Sequence, residues 1–229
     1  MYQFSTILFD LDDTLFESSR SIKEILRSLL KKCNYAASEE DLNKYLKINS
    51  HYWKLLQRGE IDFTTLKTER FKVYLDTINI TIHTESFSAE FLEMFKDAIE
   101  LVDGAYDLCQ KLYMKGCKLY IASNGEDLIQ KERIVKAGLA PFFSGYFNSD
   151  VVGYLKPSVE FYNYIIDNID EKDPRKILMV GDSYSTDIES AAMAGIYGCW
   201  FYRKEMVYTQ KSPCITIKSL RELGNILLP

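Results

Sequence analysis

The sequence predicts an α/β fold: a parallel sheet covered by helices on both faces and interrupted early by a block of helices. Three observations predict it. The apolar run TILF meets the acidic stretch DLDDT within the first fourteen residues. From about residue 103 onward, helical and strand patterns alternate over short links. The residues between carry helical periodicity and no convincing strand. Strands alternating with helices require right-handed crossovers, which bring successive strands into one parallel sheet.

The first strand, TILFD, is apolar at successive positions, as a central strand buried on both faces must be. Residues 18–95 form the insertion. There SIKEILRSLLKK and TTLKTERFKVYLDTI place apolar residues at helical spacing, while Gly59 and the stretch Asn79-Ile80-Thr81 break the pattern. The core resumes over 96–229 and joins residues 1–17. It begins with helix AYDLCQKLYMKG, strand CKLYIAS, helix EDLIQKERIVKAG and a short strand near YFNS. Helix SVEFYNYIIDNI, strand KILMVGD, helix TDIESAAMAG, strand YGCWFY, a final strand around CITI and the closing helix SLRELGNILL complete it. The whole reads as a Rossmann-like parallel sheet core with an inserted helical cap domain.

Composition bounds the partners. With 229 residues, 47% of them hydrophobic, the chain can bury a full core and carry an insertion. A net charge of -5 argues against a nucleic-acid surface or a polybasic membrane patch, so an anionic substrate must be met locally. The segment MYQFSTILFD has neither a basic stretch nor a long apolar core, and no apolar run approaches membrane-spanning length. A cytoplasmic protein is expected. Cys33, Cys109, Cys117, Cys199 and Cys214 show no C-x-x-C pair or metal-ligand spacing and are expected as reduced, packed thiols. His51 and His83 have no partner at ligand spacing and are not expected in the chemistry. Nothing in the sequence sets an oligomeric state.

In a parallel sheet, ligands bind outside the carboxyl ends of the strands, and that rule selects the candidate site. Asp10 and Asp12 end the first strand, Ser123 and Asn124 end CKLYIAS, and Gly181 and Asp182 end KILMVGD. Lys156 arrives from the loop before SVEFYNYIID. Carboxylates as close as Asp10 and Asp12 repel unless a cation or a shared proton relieves them. An acidic cluster with one lysine and no histidine suits Mg²⁺ and phosphate better than zinc. Single residues also admit plainer roles. Asp13 and Thr14 can serve a turn or helix cap, Asp187 can cap TDIESAAMAG, Gly125 can be a turn, and Lys156 can be a solvated charge.

ILFDLDDT, IASNG, GYLKP and MVGDSYSTDIESAAMAG resemble, in order and spacing, the four motifs of the haloacid dehalogenase-like superfamily, in the subgroup whose helical cap follows the first strand. The resemblance spans nearly the whole chain. It implies that Asp10 is the nucleophile that forms an aspartyl-phosphate, with its other oxygen on Mg²⁺. Asp12 would protonate the leaving alcohol, activate water for the second step, and lend its backbone carbonyl to the metal. Asp182 would complete the protein's share of the metal ligands, with Asp187 nearby. Ser123, Asn124 and Gly125 would bind phosphate oxygens, and Lys156 would offset charge on the nucleophile and phosphoryl group.

Other activities are weighed against this one. A dehalogenase of the superfamily lacks the acid two residues after the nucleophile, so Asp12 points to phosphate esters. A response-regulator receiver spreads its acidic groups over different strands in a shorter chain without a helical insertion. A sugar phosphomutase shares the first half-reaction and differs in the acceptor, and a phosphatase of phosphoglycolate or a sugar phosphate differs only in the leaving group. HYWKLLQRGEIDFTTLKTERF is similar in arrangement to the cap of bacterial pyrimidine 5'-nucleotidases that remove noncanonical nucleotides, with Trp53, Gly59, Leu66, Arg70 and Phe71 at matching positions. SNGEDLIQKERIVKAGL points the same way. The resemblance therefore implies a small phosphorylated metabolite, a pyrimidine nucleoside 5'-monophosphate, as substrate. Trp53, Tyr52, Phe63 and Phe71 are candidate stacking surfaces for its base, and core packing competes for the same rings.

Overall fold

The computed structural model describes residues 4–203 and 214–228. In chain order, strand β1 (Thr6–Phe9) is followed by helices α1 (Ser18–Lys32), α2 (Glu39–Gln57), α3 (Phe63–Thr77) and α4 (Thr84–Phe95). Then come α5 (Ala105–Met114), β2 (Lys118–Ser123), α6 (Asp127–Lys136), β3 (Phe143–Asn148), a single turn α7 (Ser149–Val152) and α8 (Val159–Asn168). The chain continues through β4 (Ile177–Gly181), a turn of π-helix (Tyr184–Glu189), α9 (Ser190–Met193), β5 (Tyr197–Phe201), β6 (Ile215–Ile217) and α10 (Leu220–Leu227). The molecule divides into two compact units, residues 1–17 with 99–229, and residues 18–98. Ala98 belongs with the helices because its methyl packs in their core.

Among the described residues the sheet has six strands, all parallel, in the order β3-β2-β1-β4-β5-β6. The chain's first strand is thus a central one, paired to β2 on one side and β4 on the other. Side chains alternate across a strand. Ile7 and Phe9 therefore enter the core that holds Leu108, Leu112 and Leu223, while Leu8 enters the opposite core with Phe161, Tyr162 and Ile165. Each is fully buried, which is worth about 1.5–3 kcal/mol per side chain.

The smaller unit has its own core. Leu26, Leu29 and Leu30 of α1 meet Leu42 and Tyr45 of α2, Phe71 and Tyr74 of α3, and Phe87 and Phe91 of α4. Its helices start where capping chemistry permits. Ser38 and Asp41 cap α2 reciprocally, Asp62 accepts from the Thr65 N–H at 2.7 Å, and the imidazole of His83 accepts from Ser86. Gly59 and Asn79 both adopt positive φ where the chain leaves α2 and α3.

All five cysteines are free, and Cys109 and Cys199 are buried. Burial pushes the Cys109 thiol up to about 12, which leaves it inert. Among the described residues, no helix is long and apolar enough to cross a membrane.

Candidate active site

Three strand ends build the site. Asp10 directly follows β1, Ser123 ends β2, and Asp182 directly follows Gly181, the last residue of β4. The Asp10 N–H donates to the Val180 carbonyl at 2.9 Å, which pins Asp10 to the neighbouring strand. Beyond it the backbone closes into a tight loop in which the Leu11 carbonyl accepts from the N–H groups of Thr14, Leu15 and Phe16. Asp13 adopts φ +63°, a conformation that aspartate tolerates better than most residues. Thr14 is fully buried and its hydroxyl makes a long contact, 3.4 Å, to Asp10 Oδ2. Asp13 and Thr14 thus serve the loop.

Lys156 is not a surface charge. It is 1% exposed, and its Nζ donates to Asp10 Oδ1 at 2.7 Å and Asp187 Oδ1 at 2.6 Å. Asn124 holds it there. The Asn124 amide donates to the Lys156 carbonyl and accepts from the Lys156 N–H, both at 2.8 Å. The Asn124 side chain is therefore a strut for Lys156.

Asp187 lies inside its helix, whose N-cap is Ser183, and its carboxylate ties that cap residue to Lys156. Its Oδ2 accepts from the Ser183 N–H at 3.0 Å while its Oδ1 accepts from Lys156. The expected α-helix TDIESAAMAG instead opens with the π turn. The wider turn is stabilised from outside, since the Tyr162 hydroxyl contacts the carbonyls of Thr186 and Asp187 at 3.3 and 3.1 Å. Gly181 makes room for it, because a Cβ there would lie 2.3 Å from Asp187 Oδ2 and 2.4 Å from its Cγ. The Trp200 indole donates to the Asp182 carbonyl at 2.9 Å and so fixes the Asp182 backbone from β5.

Asp12 turns to another cation. Arg133 Nη1 donates to Asp12 Oδ1 at 2.7 Å, and Gln130 Nε2 donates to Asp12 Oδ2 at 2.8 Å. Arg133 also donates to Gln130 Oε1 at 2.8 Å, and its guanidinium carbon lies 4.4 Å from the Phe16 ring centroid. Sequence reasoning missed both residues. The available signal was their spacing, since Gln130 and Arg133 are polar residues on the buried stripe of α6, 1% and 0% exposed. Gly125 is more than a turn, because a Cβ there would lie 2.1 Å from Gln130 Nε2. Its N–H donates to Ser123 Oγ at 3.0 Å.

A hard divalent cation fits this arrangement. One carboxylate oxygen from each of Asp10, Asp182 and Asp187 lies within 4.8 Å of the others, an all-oxygen donor set. Burial pushes Asp10 up to about 7, and the neighbouring charges of Asp187 and Asp12 add to the effect that Lys156 opposes. Burial, then Asp10 and Asp187, also raises Asp182 well above the usual carboxylate range. Carboxylates driven toward protonation by burial and by one another are groups that a cation would restore to charge. Each of Asp10, Asp182 and Asp187 offers a carboxylate oxygen to this set, and Asp187 also accepts from Lys156 and the Ser183 N–H.

The family model of the haloacid dehalogenase-like hydrolases matches residues 4–195. The chain belongs to this family. It is 28% identical to the HAD-hydrolase YfnB of Bacillus subtilis over 228 residues, 99% of this chain and 97% of YfnB. The crystal structure of YfnB bound to magnesium superposes with a TM-score of 0.91, covering 98% of this chain and 99% of that one. The chain is also 29% identical to the pyrimidine 5'-nucleotidase PynA of Streptococcus pneumoniae, over 99% of this chain and 95% of PynA. With the pyrimidine 5'-nucleotidase YjjG of Escherichia coli it shares 27% identity, over 96% of each.

In this haloacid dehalogenase-like hydrolase the smaller unit treats its candidate aromatics unequally. Phe71 is fully buried, stacked on Tyr45 at 5.3 Å and close to Phe91 at 4.8 Å, so packing claims it. Arg70 is buried too, its Nη1 donating to Asn49 Oδ1 at 2.7 Å. Tyr52, Trp53 and Phe63 are half-buried, with Trp53 edge-on to Phe63 at 6.3 Å.

Proposed function

We propose that the chain is a Mg²⁺-dependent phosphomonoesterase that acts through an aspartyl-phosphate on Asp10, with pyrimidine nucleoside 5'-monophosphates as substrates. The observation that carries the reading is the single buried ammonium of Lys156 shared between Asp10 and Asp187, next to the half-buried carboxylate of Asp182. Asp10 is thereby oriented, and Lys156 offsets part of the burial that disfavours its charge, beside the place where a phosphate dianion must be neutralised.

In the first step an Asp10 carboxylate oxygen forms a bond to phosphorus. The phosphorus–oxygen ester bond breaks, its electrons go to the leaving oxygen, and Asp12 supplies that oxygen's proton. In the second step Asp12 takes a proton from water as the water attacks phosphorus, which returns the Asp10 carboxylate and releases inorganic phosphate. Ser123 and the backbone of the Asn124-Gly125 turn face the phosphate oxygens, and Lys156 balances their charge. A Mg²⁺ ion held by Asp10, Asp182 and the Asp12 carbonyl would supply electrostatic stabilisation of the equatorial oxygens.

Metal dependence is a first expected result. EDTA should abolish activity and Mg²⁺ should restore it, with Ca²⁺ a poor substitute because its larger and looser coordination misplaces the phosphate. The pH dependence follows from Asp10. Its folded value near 7 lies above the ordinary 3.8, so the metal-free fold holds an extra proton between those values and loses stability as pH rises through 7. Mg²⁺ competes with that proton, so it should raise the melting temperature more at pH 8 than at pH 5. Full activity after exhaustive chelation, or no thermal shift at pH 8, would refute the metal site.

The substrate class rests on the similarity to PynA and YjjG along nearly the whole chain, together with the half-buried aromatic residues Tyr52, Trp53 and Phe63. The unit of residues 18–98 is read as the part that selects the leaving nucleoside. Phosphate release from UMP, dUMP, dTMP, halogenated analogues, purine nucleotides, glucose 1-phosphate and phosphoglycolate, under identical Mg²⁺, tests it. The best pyrimidine nucleotide should exceed the sugar phosphates in kcat/KM by roughly tenfold or more. A hexose phosphate or phosphoglycolate above every pyrimidine nucleotide would overturn the nucleotidase reading and leave the phosphatase intact. With a sugar 1-phosphate, stoichiometric release of inorganic phosphate separates hydrolysis from mutase chemistry.

A further inference from the structure

We propose that Arg133 and Gln130 are positioning residues for Asp12, a two-point seat that fixes its carboxylate for both proton transfers. The inference rests on the phosphatase reading and adds residues that reading does not use. Each Asp12 oxygen has its own donor, Arg133 Nη1 on Oδ1 at 2.7 Å and Gln130 Nε2 on Oδ2 at 2.8 Å. Two donors on two oxygens fix both side-chain torsions of an aspartate, where one would let the carboxylate swivel. The seat is itself braced, because Arg133 also donates to Gln130 Oε1 and Gln130 reaches Ser123 Oγ at 3.4 Å.

Burial shows which way the seat faces. The Arg133 side chain is 0% exposed while that of Asp12 is 38% exposed, so the donors grip the carboxylate from the interior while part of it stays accessible to solvent. A leaving oxygen or an attacking water would meet that accessible part.

Arg133 also divides the charges of the site. Lys156 serves Asp10 and Asp187, and Arg133 serves Asp12, so the acid–base group does not compete with the nucleophile for one ammonium. Core filling alone does not account for this choice. Burying a guanidinium is unfavourable, and a methionine of similar length would pack on Phe16 as well.

The test uses burst kinetics with p-nitrophenyl phosphate, whose leaving group needs no proton, and an alkyl phosphate, whose leaving group does. Arg133→Met should keep a burst of about one nitrophenolate per enzyme, because Asp10 can still be phosphorylated. Its steady rate should fall on the order of 10- to 100-fold, because hydrolysis of the intermediate needs Asp12 as base. On the alkyl phosphate the loss should be at least as large, with no burst. Gln130→Leu should show the same pattern at smaller amplitude, and it carries the test if Arg133→Met does not fold. Arg133→Lys, which restores a cation without the fork of donors, should fall between.

A burst that shrinks in proportion to the steady rate would mean inactive protein and a structural role, and would overturn the seat. So would steady rates within twofold of wild type on both substrates. A wild-type enzyme that releases phosphate from neither substrate would remove the phosphatase reading, and this inference with it.

Discussion

Replacing Asp10 with asparagine is expected to lower phosphate release from p-nitrophenyl phosphate by about four orders of magnitude or more, with the fold retained. An amide has no carboxylate oxygen with which to form the bond to phosphorus, and the remaining site groups stabilise charge without replacing a nucleophile. Folding should tolerate the change. The Asp10 carboxylate is already disfavoured by burial, and Lys156 keeps its 2.6 Å partner Asp187 when Asp10 loses its charge. A net change of about 1 kcal/mol would move the melting temperature by only about 2–4 °C in a chain of this size. Activity within tenfold of wild type, at unchanged circular dichroism, would rule out the covalent route.

Lys156→Met should damage both function and stability. It leaves Asp10 and Asp187 buried beside each other without their shared cation, and removing one partner of a buried pair costs about 3–5 kcal/mol. That corresponds to a fall in melting temperature of roughly 6–20 °C. The sign of the pH effect is fixed by the carboxylates. Burial already raises Asp10, Lys156 is what draws it down, and removing Lys156 raises it further above its unfolded value. A raised carboxylate adds stability at low pH and loses it as pH rises through the folded value. Measured in EDTA, the deficit against wild type should therefore be larger at pH 8 than at pH 5. A variant as stable as wild type at pH 8, or a deficit that ignores pH, would show that Lys156 does not hold the carboxylates together.

The strands were readable because their reasons are local. ILF and ILMV carry no polar interruption, and a strand covered on both faces needs none. Asp10, Ser123 and Asp182 were readable for the same reason, as the first polar residues at or beyond such runs. Asn124 was harder. An amide after a strand end says nothing about whether it meets a ligand or, as here, the backbone of Lys156, thirty-two residues later. The π turn at Tyr184–Glu189 was not readable from its own segment, since Tyr162 and Lys156, which fill its needs, come from elsewhere. Gln130 and Arg133 were overlooked because a polar residue in a helix is ordinarily assigned to solvent. Their spacing puts them on one stripe of α6, but that this stripe faces inward is visible only once the strand order is known.

The central place of β1 also bears on how the protein is made. Thr6 pairs with Lys118 on one side and Ile177 on the other, so the strand that leads to Asp10 leaves the ribosome long before either neighbour exists. In the interval the whole of residues 18–98 emerges, a segment with a self-contained core. Such distant pairing slows folding, because the loop must close before any contact rewards it. A chain arrested before β4 would carry a complete helical unit and an exposed apolar TILF segment, with no partner for one edge of that strand. Such a nascent chain is a natural client for a chaperone.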